Sequence, residues 1–347
     1  MQLASPASSL SDDTSFTCWV ANRASADAPV TSGLSTCRVA DLPAGEVLFR
    51  VVFSSLNYKD ALANQGHPGV APNLPHIPGI DAVGIVETSS DTRYKPGDWI
   101  IVTGNDFGAP GWGGWSELAR VKADWIIPLP KGLSPQEAMA LGTAGFTAAQ
   151  CVLAIQTGLV TPDAGEVLVT GATGGVGCLA VKLLSQLGYQ VTAVTGKPQK
   201  EEWLRNCGAA KVVGREEVHD NTNRPMLRSR WAAVVDTVGG STLQTAIRAT
   251  KNYGVVAACG LVGGAELPLT VHPFILRGIT LAGIGSALLP YPRRQEIWRR
   301  LSNEWKIANL DSLTTIIPLA EVGAACATIL RGEIVGRTVV QVCKNLA

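Results

Sequence analysis

A strand that runs into a glycine-rich turn and then into a helix most constrains how this chain can fold. Residues 166–177 read E-V-L-V-T-G-A-T-G-G-V-G, an apolar run followed by glycines and the start of a helical pattern. Strand and helix patterns alternate from there to residue 258, and repeated strand–helix units form parallel, doubly wound sheets with right-handed crossovers. In this context the turn predicts a Rossmann domain that binds a dinucleotide.

The register of the turn assigns a role to each small residue. Ala172 lies at the tight turn, Gly174 where the backbone meets a pyrophosphate, and Gly177 where the helix packs on the strand. Backbone amides at the start of the helix then point at the phosphates. The predicted contacts at this turn are Gly171, Ala172, Thr173, Gly174, Gly175 and Val176.

The end of the second strand distinguishes the two nicotinamide cofactors. A carboxylate there would bind the adenosine ribose of NADH and repel the 2′-phosphate of NADPH. The chain instead reads V-T-G-K at residues 194–197, so that Thr195 and Lys197 are placed to reach a 2′-phosphate. Arg215, after the third strand, is a second candidate cation. A solvated lysine at the start of a helix is the alternative for Lys197, but the pattern favours NADPH.

Composition excludes several classes of partner. The 29 Lys and Arg residues nearly balance 28 Asp and Glu, so no broad field attracts nucleic acid or an anionic membrane. We identify no apolar run of the roughly 18 to 20 residues needed to span a bilayer. The first 15 residues lack the features of a secretory signal and are expected to be a disordered lead-in. These observations predict a cytoplasmic protein without nucleic-acid or membrane partners.

Residues outside the Rossmann pattern read as a β-rich domain. The predicted strands are 16–20, 47–52, 81–88, 99–103 and 115–121, separated by Gly and Pro. S-P-Q-E at residues 134–137 marks the start of a helix that should break near Gly142. The tail after residue 286 returns to short helices and strands. We therefore predict a β-rich domain of residues 16–134 and 287–347, with a Rossmann domain of residues 135–286 inserted in it.

The cysteines and histidines do not form a metal-binding pattern. Eight scattered cysteines without a C-x-x-C pair indicate reduced, buried thiols. His67, His76, His219 and His272 are dispersed, which favours packing or surface roles. We expect no metal site.

Five further blocks accompany the turn in order along the chain. They are S-S-L-N-Y-K-D-A-L at 54–62, P-H-I-P-G-I-D at 75–81, G-T-A-G-F-T at 142–147, V-D-T-V-G-G at 235–240 and P-F-I-L-R-G at 273–278. With them, residues 16–343 resemble a zinc-free medium-chain dehydrogenase/reductase of the quinone oxidoreductase-like group, which includes acrylyl-CoA reductases. The resemblance implies an α/β protein whose Rossmann sheet is inserted in a GroES-like catalytic domain, and a homodimer joined through the Rossmann domains.

The resemblance also implies the chemistry. Zinc members carry Gly-His-Glu where this chain has Gly79, Ile80 and Asp81, and a four-cysteine lobe where residues 103–116 contain no cysteine. Hydride transfer from NADPH to an alkene conjugated with a carbonyl, such as an enoyl-CoA thioester or an enone, is the implied activity. A quinone reductase and a non-catalytic NADPH-binding protein are the alternatives.

Asn57 and Tyr58 follow a strand of the first domain, where the family places residues that face nicotinamide and substrate. Asn57 is expected to orient the carboxamide or the substrate carbonyl. Tyr58 is expected to shape the pocket or donate a proton, with aromatic packing at a domain interface as the alternative. For Lys59 and Asp60 an ion pair or a helix cap is expected rather than catalysis.

Other candidate cofactor contacts come from three places in the chain. They are Thr143 and Thr147 at the helix break, Cys259, Gly260 and Leu261 at the carboxyl end of a Rossmann strand, and Arg337 in the last strand.

Two features bear on the substrate. The arginines at 293, 294, 299 and 300 could receive the phosphates of coenzyme A, although a solvated helix face is the favoured alternative. Related acrylyl-CoA reductases are expected to read G-I-D-S-V where this chain has G-I-G-S-A at 283–287. The missing carboxylate at Gly285 puts acrylyl-CoA itself in doubt as the substrate.

Overall fold

A computed structural model describes residues 10–343, and the chain divides into two compact units. The first comprises the chain up to Gly142, Ile316–Glu333 and the chain from Thr338 onward, and the second comprises Thr143–Thr315 and Ile334–Arg337. Residues 135–142 thus lie in the first unit, and residues 287–315 and 334–337 lie in the second, which differs from the expected boundaries at residues 135 and 287. Within that unit Trp298 stacks on Phe146 with ring centroids 6.0 Å apart.

The first unit contains most of a seven-stranded sheet and a separate hairpin. The sheet order is β14–β15–β3–β4–β5–β7, and β6 pairs with β3. The hairpin joins β1 and β2 along their whole length. The elements are β1 Ser15–Asn22, β2 Thr31–Arg38, β3 Val47–Ser55, α1 Tyr58–Asn64, β4 Asp81–Ser89, β5 Trp99–Thr103, β6 Leu118–Val121, β7 Ile126–Pro128, β14 Thr314–Pro318, α8 Val322–Leu330 and β15 Arg337–Gln341.

Apolar residues on β3, β4 and β5 form the core of this unit. Val47, Phe49 and Val102 are among its fully buried members, and β3 is buried along nearly its whole length. A strand covered on both sides cannot show strict alternation of apolar and polar residues. The ends of β3 and β4 therefore bring Ser55 and Asp81 into a dry interior.

The second unit is a six-stranded parallel sheet in the order β10–β9–β8–β11–β12–β13. This order confirms the doubly wound Rossmann fold predicted from the sequence, and it reverses direction between β8 and β11, where dinucleotides bind in such sheets. The elements are β8 Val167–Val169, α3 Gly175–Gln186, β9 Val191–Val194, α4 Glu201–Asn206, β10 Lys211–Val213, β11 Trp231–Asp236, α5 Gly240–Arg248, β12 Thr250–Ala258, α6 His272–Arg277, β13 Thr280–Gly283 and α7 Tyr291–Ser302.

The long helix α2, Pro135–Thr157, begins and bends as its sequence predicts. Ser134 Oγ accepts a hydrogen bond from Glu137 N at 3.1 Å, and Glu137 Oε2 accepts one from Ser134 N at 2.8 Å. Gly142 leaves helical geometry, with φ 49° and ψ −152°. Among the described helices, α2 alone is long and apolar enough to cross a membrane, which the sequence analysis did not identify. Since 83% of its apolar window is buried inside the protein, we interpret it as a core helix.

The expected lead-in at residues 1–15 is ordered where the structure describes it. Residues 1–9 lie outside the described part of the chain. Thr14 N donates to Ser11 O at 2.9 Å, and Asp12 O accepts from Ala40 N at 3.0 Å. These backbone hydrogen bonds hold residues 11–14 in a turn that leads into β1, so the expectation of disorder was wrong there.

Candidate functional site

The glycine turn after β8 is folded tightly against the start of α3. Gly171 has a φ of +58°, and its carbonyl accepts a hydrogen bond from Gly174 N at 2.9 Å. A Cβ atom at Gly177 would lie 2.3 Å from Gly171 O and 2.8 Å from Ala172 Cα, so no side chain fits there. The first amides of α3, at Gly175 and Val176, have no acceptor within the helix. This geometry provides a backbone cradle for a phosphate group.

A buried carboxylate that the sequence analysis missed holds the turn in place. Asp236, at the end of β11, accepts hydrogen bonds from Thr170 Oγ1 and from Gly239 N, each at 2.7 Å. Thr237 Oγ1 donates to Thr170 O at 2.9 Å. Burial raises the pKa of Asp236 above its usual value. Thr170, which directly follows β8, and Asp236, the last residue of β11, are thereby bonded to each other on either side of the point where the sheet order reverses.

Thr195 and Lys197, expected after the second strand, and Arg215, expected after the third, all adjoin Gly196. The Thr195 hydroxyl is 3.4 Å from that of Thr173 and accepts from Lys197 N at 3.0 Å. A Cβ atom at Gly196 would lie 2.5 Å from Arg215 Cζ, so the guanidinium rests directly against this glycine. The Arg215 guanidinium thus lies against the residue that directly precedes Lys197, shortly after the end of β9. Lys197 is half-buried, and its Nζ donates to Ile334 O at 2.8 Å.

The short segment Ile334–Arg337 adds a cation beside the glycine turn. Gly336 N donates to Thr173 O at 3.0 Å. Arg337 is buried, and its Nη1 lies 2.9 Å from the position that a Cβ atom at Gly175 would occupy. A guanidinium therefore lies at the amino terminus of α3, where an anion would already be favoured by the helix dipole.

The remaining residues expected to contact the cofactor lie outside the glycine turn and the residues that follow β9. Thr147 Oγ1 donates to Thr143 O at 2.7 Å, so this hydroxyl is used within its own helix. Cys259 and Gly260 follow β12 at the carboxyl edge of the sheet, and a Cβ atom at Gly260 would lie 2.1 Å from Thr237 O. Leu261, which follows, is exposed.

In the first unit, Asn57 lies at the start of α1 within a polar cluster. Its Nδ2 is 2.9 Å from Asp81 Oδ2, 3.0 Å from Ser55 Oγ and 3.2 Å from Asp60 Oδ2. Asn57 N donates to Asp60 Oδ2 at 2.7 Å, which closes a capping box. Asp60 is thus a helix cap, as expected. Tyr58 is the first residue of α1, and 43% of its surface is exposed.

Asp60 and Asp81 form a buried pair of carboxylates that the sequence analysis did not identify. Asp60 Oδ1 accepts from the backbone amides of Ile80 at 2.8 Å and Gly79 at 3.2 Å. Asp81 Oδ2 also accepts from Ser55 Oγ at 2.6 Å. Burial, and then the nearby charge of Asp81, raise the pKa of Asp60 to about 7. One carboxylate of the pair is therefore poised to change its charge near neutral pH.

The arginine cluster on α7 is not an open basic surface. Arg294 is buried under Phe146, and its Nη2 donates to Ser286 O at 3.0 Å and Ala287 O at 2.9 Å. Arg299 and Arg300 both pair with Glu296, one turn away on the same helix. The burial of Arg294 and the ion pairs of Arg299 and Arg300 argue against the phosphate-binding interpretation, whereas Arg293 and Arg299 are exposed, as the favoured solvated face requires. The alternative of a solvated face was wrong for Arg294, since a run of arginines does not reveal which member faces inward.

Trp115 has a structural role. Its ring is fully buried, its Nε1 donates to Ser55 O at 3.2 Å, and its Cδ1 lies 2.7 Å from where a Cβ atom at Gly79 would be.

Within residues 10–343, no group of three or more His, Cys, Asp or Glu side chains is arranged to hold a metal ion.

Comparison with known proteins identifies the family. Residues 43–131 match the model for the alcohol dehydrogenase GroES-like domain, and residues 175–303 match the zinc-binding dehydrogenase model. An acrylyl-CoA reductase of Ruegeria pomeroyi is 46% identical over 88% of this chain and 92% of its own length. A putative quinone oxidoreductase of Bacillus subtilis, YhfP, is 42% identical over 90% of this chain and 95% of its own length.

Solved structures of relatives share the whole fold. The yhdH oxidoreductase from Salmonella enterica in complex with NADP has a TM-score of 0.91 and 41% identity, covering 94% of this chain and 100% of its own. YhfP from Bacillus subtilis with NAD bound has a TM-score of 0.92 and 41% identity, covering 95% of this chain and 100% of its own. The chain therefore belongs to the medium-chain dehydrogenase/reductase family of oxidoreductases, in the group of acrylyl-CoA reductases and quinone oxidoreductase-like proteins.

Proposed function

We propose that this protein is an NADPH-dependent reductase of carbon–carbon double bonds conjugated with a carbonyl, acting on an enoyl-CoA thioester of the acrylyl-CoA kind or on an enone. The observation that carries the proposal is the Arg215 guanidinium packed against Gly196, the residue before Lys197, which places two cationic residues after the end of β9 where NADPH carries its 2′-phosphate. Similarity to an acrylyl-CoA reductase over nearly the whole chain supports the substrate class.

The residues of the second unit fit a bound NADPH. Gly177, whose Cβ atom would collide with the backbone of the turn, lets the amides at the start of α3 lie close to the turn, and Arg337 adds a positive charge beside them. Thr195, Lys197 and Arg215 offer a hydroxyl and two cations to the 2′-phosphate, and hydrogen bonds from cations to phosphate are stronger than those from neutral donors. When bound, NADPH supplies a hydride to the β-carbon of the conjugated alkene.

Asn57 and Tyr58 are our candidates for catalysis. The amide nitrogen of Asn57 faces two carboxylates, and the side chain also accepts from the backbone of Asp60 in the capping box. We propose that Asn57 orients the nicotinamide carboxamide, because an amide oxygen accepts hydrogen bonds and cannot donate to a substrate carbonyl. Tyr58 is 43% exposed, and its hydroxyl is our candidate for passing a proton to the α-carbon of the substrate.

A screen of NADPH oxidation tests the reaction. Acrylyl-CoA, crotonyl-CoA, simple enones, benzoquinones and naphthoquinones are compared at matched concentrations, and turnover of thioesters or enones is expected. Turnover of quinones alone would support a quinone reductase, which the similarity to YhfP favours as the second candidate. NADPH binding with no turnover of any class would support a non-catalytic NADPH-binding protein and contradict both enzymes.

The glycine turn gives a direct test of cofactor binding. A Gly177→Ala variant is expected to lose about 1 to 3 kcal/mol of stability and at least about tenfold in affinity for both NADPH and NADH, because its Cβ meets backbone atoms. Fluorescence titration and thermal melts measure the two effects. Gly283→Ala is the matched control, since no atom lies within 4 Å of its Cβ position. Unchanged binding in Gly177→Ala would contradict the assignment of this turn.

We further propose a cytoplasmic homodimer with a small-molecule substrate. Strand β13 lies at the edge of the parallel sheet, and Ile275 and Leu276 of the adjacent α6 are 73% and 59% exposed. An open sheet edge beside exposed apolar residues favours pairing with a second copy. Ile275→Glu is expected to shift the protein from dimer to monomer in light scattering after gel filtration. Leu159→Glu, at another exposed leucine, is the control, and a dimer that survives Ile275→Glu would exclude this interface.

A further inference from the structure

Two cysteines from different strands of the hairpin lie in contact. Cys18 is on β1 and Cys37 is on β2, and their Sγ atoms are 3.3 Å apart, with the Cys18 thiol donating. The register pairs Cys18 with Ser35 and Phe16 with Cys37, so the two cysteines are diagonal neighbours on one face of the hairpin. Both are free thiols in the structure. The proposed reduction uses neither of them.

The two sulfur atoms are close enough for a small movement to join them. A disulfide has about 2.05 Å between its sulfur atoms, so an approach of roughly 1.2 Å would close the bond. Strand β2 can supply this movement. It pairs with no described strand other than β1, and most of its residues are exposed.

Strand β1, in contrast, is held along its other edge. Trp19 N donates to Trp115 O at 2.8 Å, and Glu117 N donates to Thr17 O at 2.9 Å. The Trp19 Nε1 atom also donates to Asn64 Oδ1 of α1 at 2.7 Å. A bond between the cysteines would therefore draw β2 toward a fixed β1 and leave α1 in place.

The two thiols differ in their access to solvent. Cys18 is fully buried, and burial, followed by the hydrogen bond with Cys37, raises its pKa above the usual value. Cys37 is only partly buried. An oxidant from solution has to reach the sulfur it attacks, and the thiolate is the form that reacts. Cys37 is therefore the residue that reacts first, and Cys18 is the second thiol.

We propose that Cys18 and Cys37 form a reversible oxidation site, at which a hydroperoxide converts the two thiols into a disulfide that joins β2 to β1. The Cys37 sulfur attacks the peroxide, an S–O bond forms as the O–O bond breaks, and an alcohol or water leaves. The Cys18 sulfur then attacks the sulfenic acid at Cys37, so that the S–S bond forms, the S–O bond breaks and water leaves with the thiol proton. Two electrons pass from the thiols to the peroxide.

The disulfide would protect the fold during oxidation. It joins residues 19 apart in the chain, and such a cross-link restricts the unfolded chain more than the folded one. We expect the Tm to rise by about 3 to 6 °C. Capture of the sulfenic acid by Cys18 also prevents further oxidation of Cys37 to a sulfinic acid, which thiols cannot reverse.

Peptide mapping of the peroxide-treated protein tests the site. Trypsin cleaves after Arg23 and Arg38, so Cys18 and Cys37 fall in separate peptides, 1–23 and 24–38, that only a disulfide holds together. The full chain, treated with equimolar hydrogen peroxide and then alkylated, should give the joined peptides, and dithiothreitol should separate them. Sulfenic or sulfinic acid at Cys37 without joined peptides, or a bond from Cys37 to a different cysteine, would overturn the proposal.

Thermal melts before and after peroxide measure the effect on stability. Cys37→Ser keeps a group that accepts from Cys18, so it is expected to fold but to gain no stability from peroxide. Cys343→Ser is the matched control, because it removes another partly buried thiol that lies outside the hairpin, and it should gain as much as the wild type. An equal gain in Cys37→Ser, or a lower Tm of the oxidised wild type, would contradict the proposal.

Discussion

Replacing both Lys197 and Arg215 with alanine is expected to weaken NADPH binding by at least about 100-fold and leave NADH binding nearly unchanged. A hydrogen bond to a charged group contributes about 1.5 to 3 kcal/mol, and two such bonds to one phosphate are lost. The sum will not be fully additive, since both cations flank Gly196 and share one ligand. NADH lacks the 2′-phosphate, so the double variant removes no contact to NADH at this position.

The measurement is a pair of titrations by cofactor fluorescence, one with NADPH and one with NADH, for each protein. Lys200→Ala combined with Arg205→Ala is the control, because it removes the same charge from neighbouring residues of the same unit. Lys197 also donates to Ile334 O, so the single variants will show whether that bond or the phosphate contact dominates. If NADH and NADPH weaken equally, Lys197 and Arg215 support the fold rather than select the cofactor.

Raising the pH from 4 to 8 is expected to reduce the free energy of unfolding through Asp60 by up to about 4 kcal/mol. The pKa of Asp60 is raised from 3.8 to about 7, so the folded state binds the proton more tightly than the unfolded chain. The stability this provides is fully present below the ordinary pKa and is lost as the pH rises through about 7. Burial of Asp236 acts in the same direction.

Urea unfolding at a series of pH values measures this dependence. Removing the charge of Asp81 lowers the pKa of Asp60, so Asp81→Asn should lose less stability than the wild type between pH 6 and 8. Ser54→Ala is the matched control, because the Ser54 hydroxyl is equally buried and donates to the backbone oxygen of Asp81 at 2.6 Å, and it should keep the wild-type slope. Parallel curves for wild type and Asp81→Asn would show that Asp60 does not bind a proton in this range.

The sequence predicted most of the second unit because its signals are local. Strands β10 and β13 of this unit, like β5 of the first unit, have the predicted bounds, since each is a short run between turn residues. The break in α2 at Gly142 follows from glycine within a helical pattern. The glycine turn was placed correctly because Gly171 has a positive φ and a side chain at Gly177 would meet backbone atoms, so glycine is needed at both positions.

Other features depend on contacts between distant residues and could not be predicted in the same way. Strand β2 carries mostly exposed residues and shows no apolar alternation, so only its pairing with β1 reveals it. Asp60 and Asp81 are brought together by the fold, and neither of the two sequence blocks that contain them indicates that the carboxylates lie close to each other. Arg294 looks like its neighbours in the sequence, and its burial depends on the ring of Phe146.

The return of Ile334–Arg337 to the second unit limits how this protein can be recombined. A chimaera that exchanges residues 143–315 as one contiguous module would leave behind the carbonyl that Lys197 contacts and the arginine beside Gly175. The grafted part would carry its glycine motif intact and still lack pieces of its own coenzyme pocket. A chimaera will therefore keep the cofactor preference of the donor protein only if residues 334–337 are exchanged together with residues 143–315. Designs that recombine proteins of this fold should treat the two stretches as one unit.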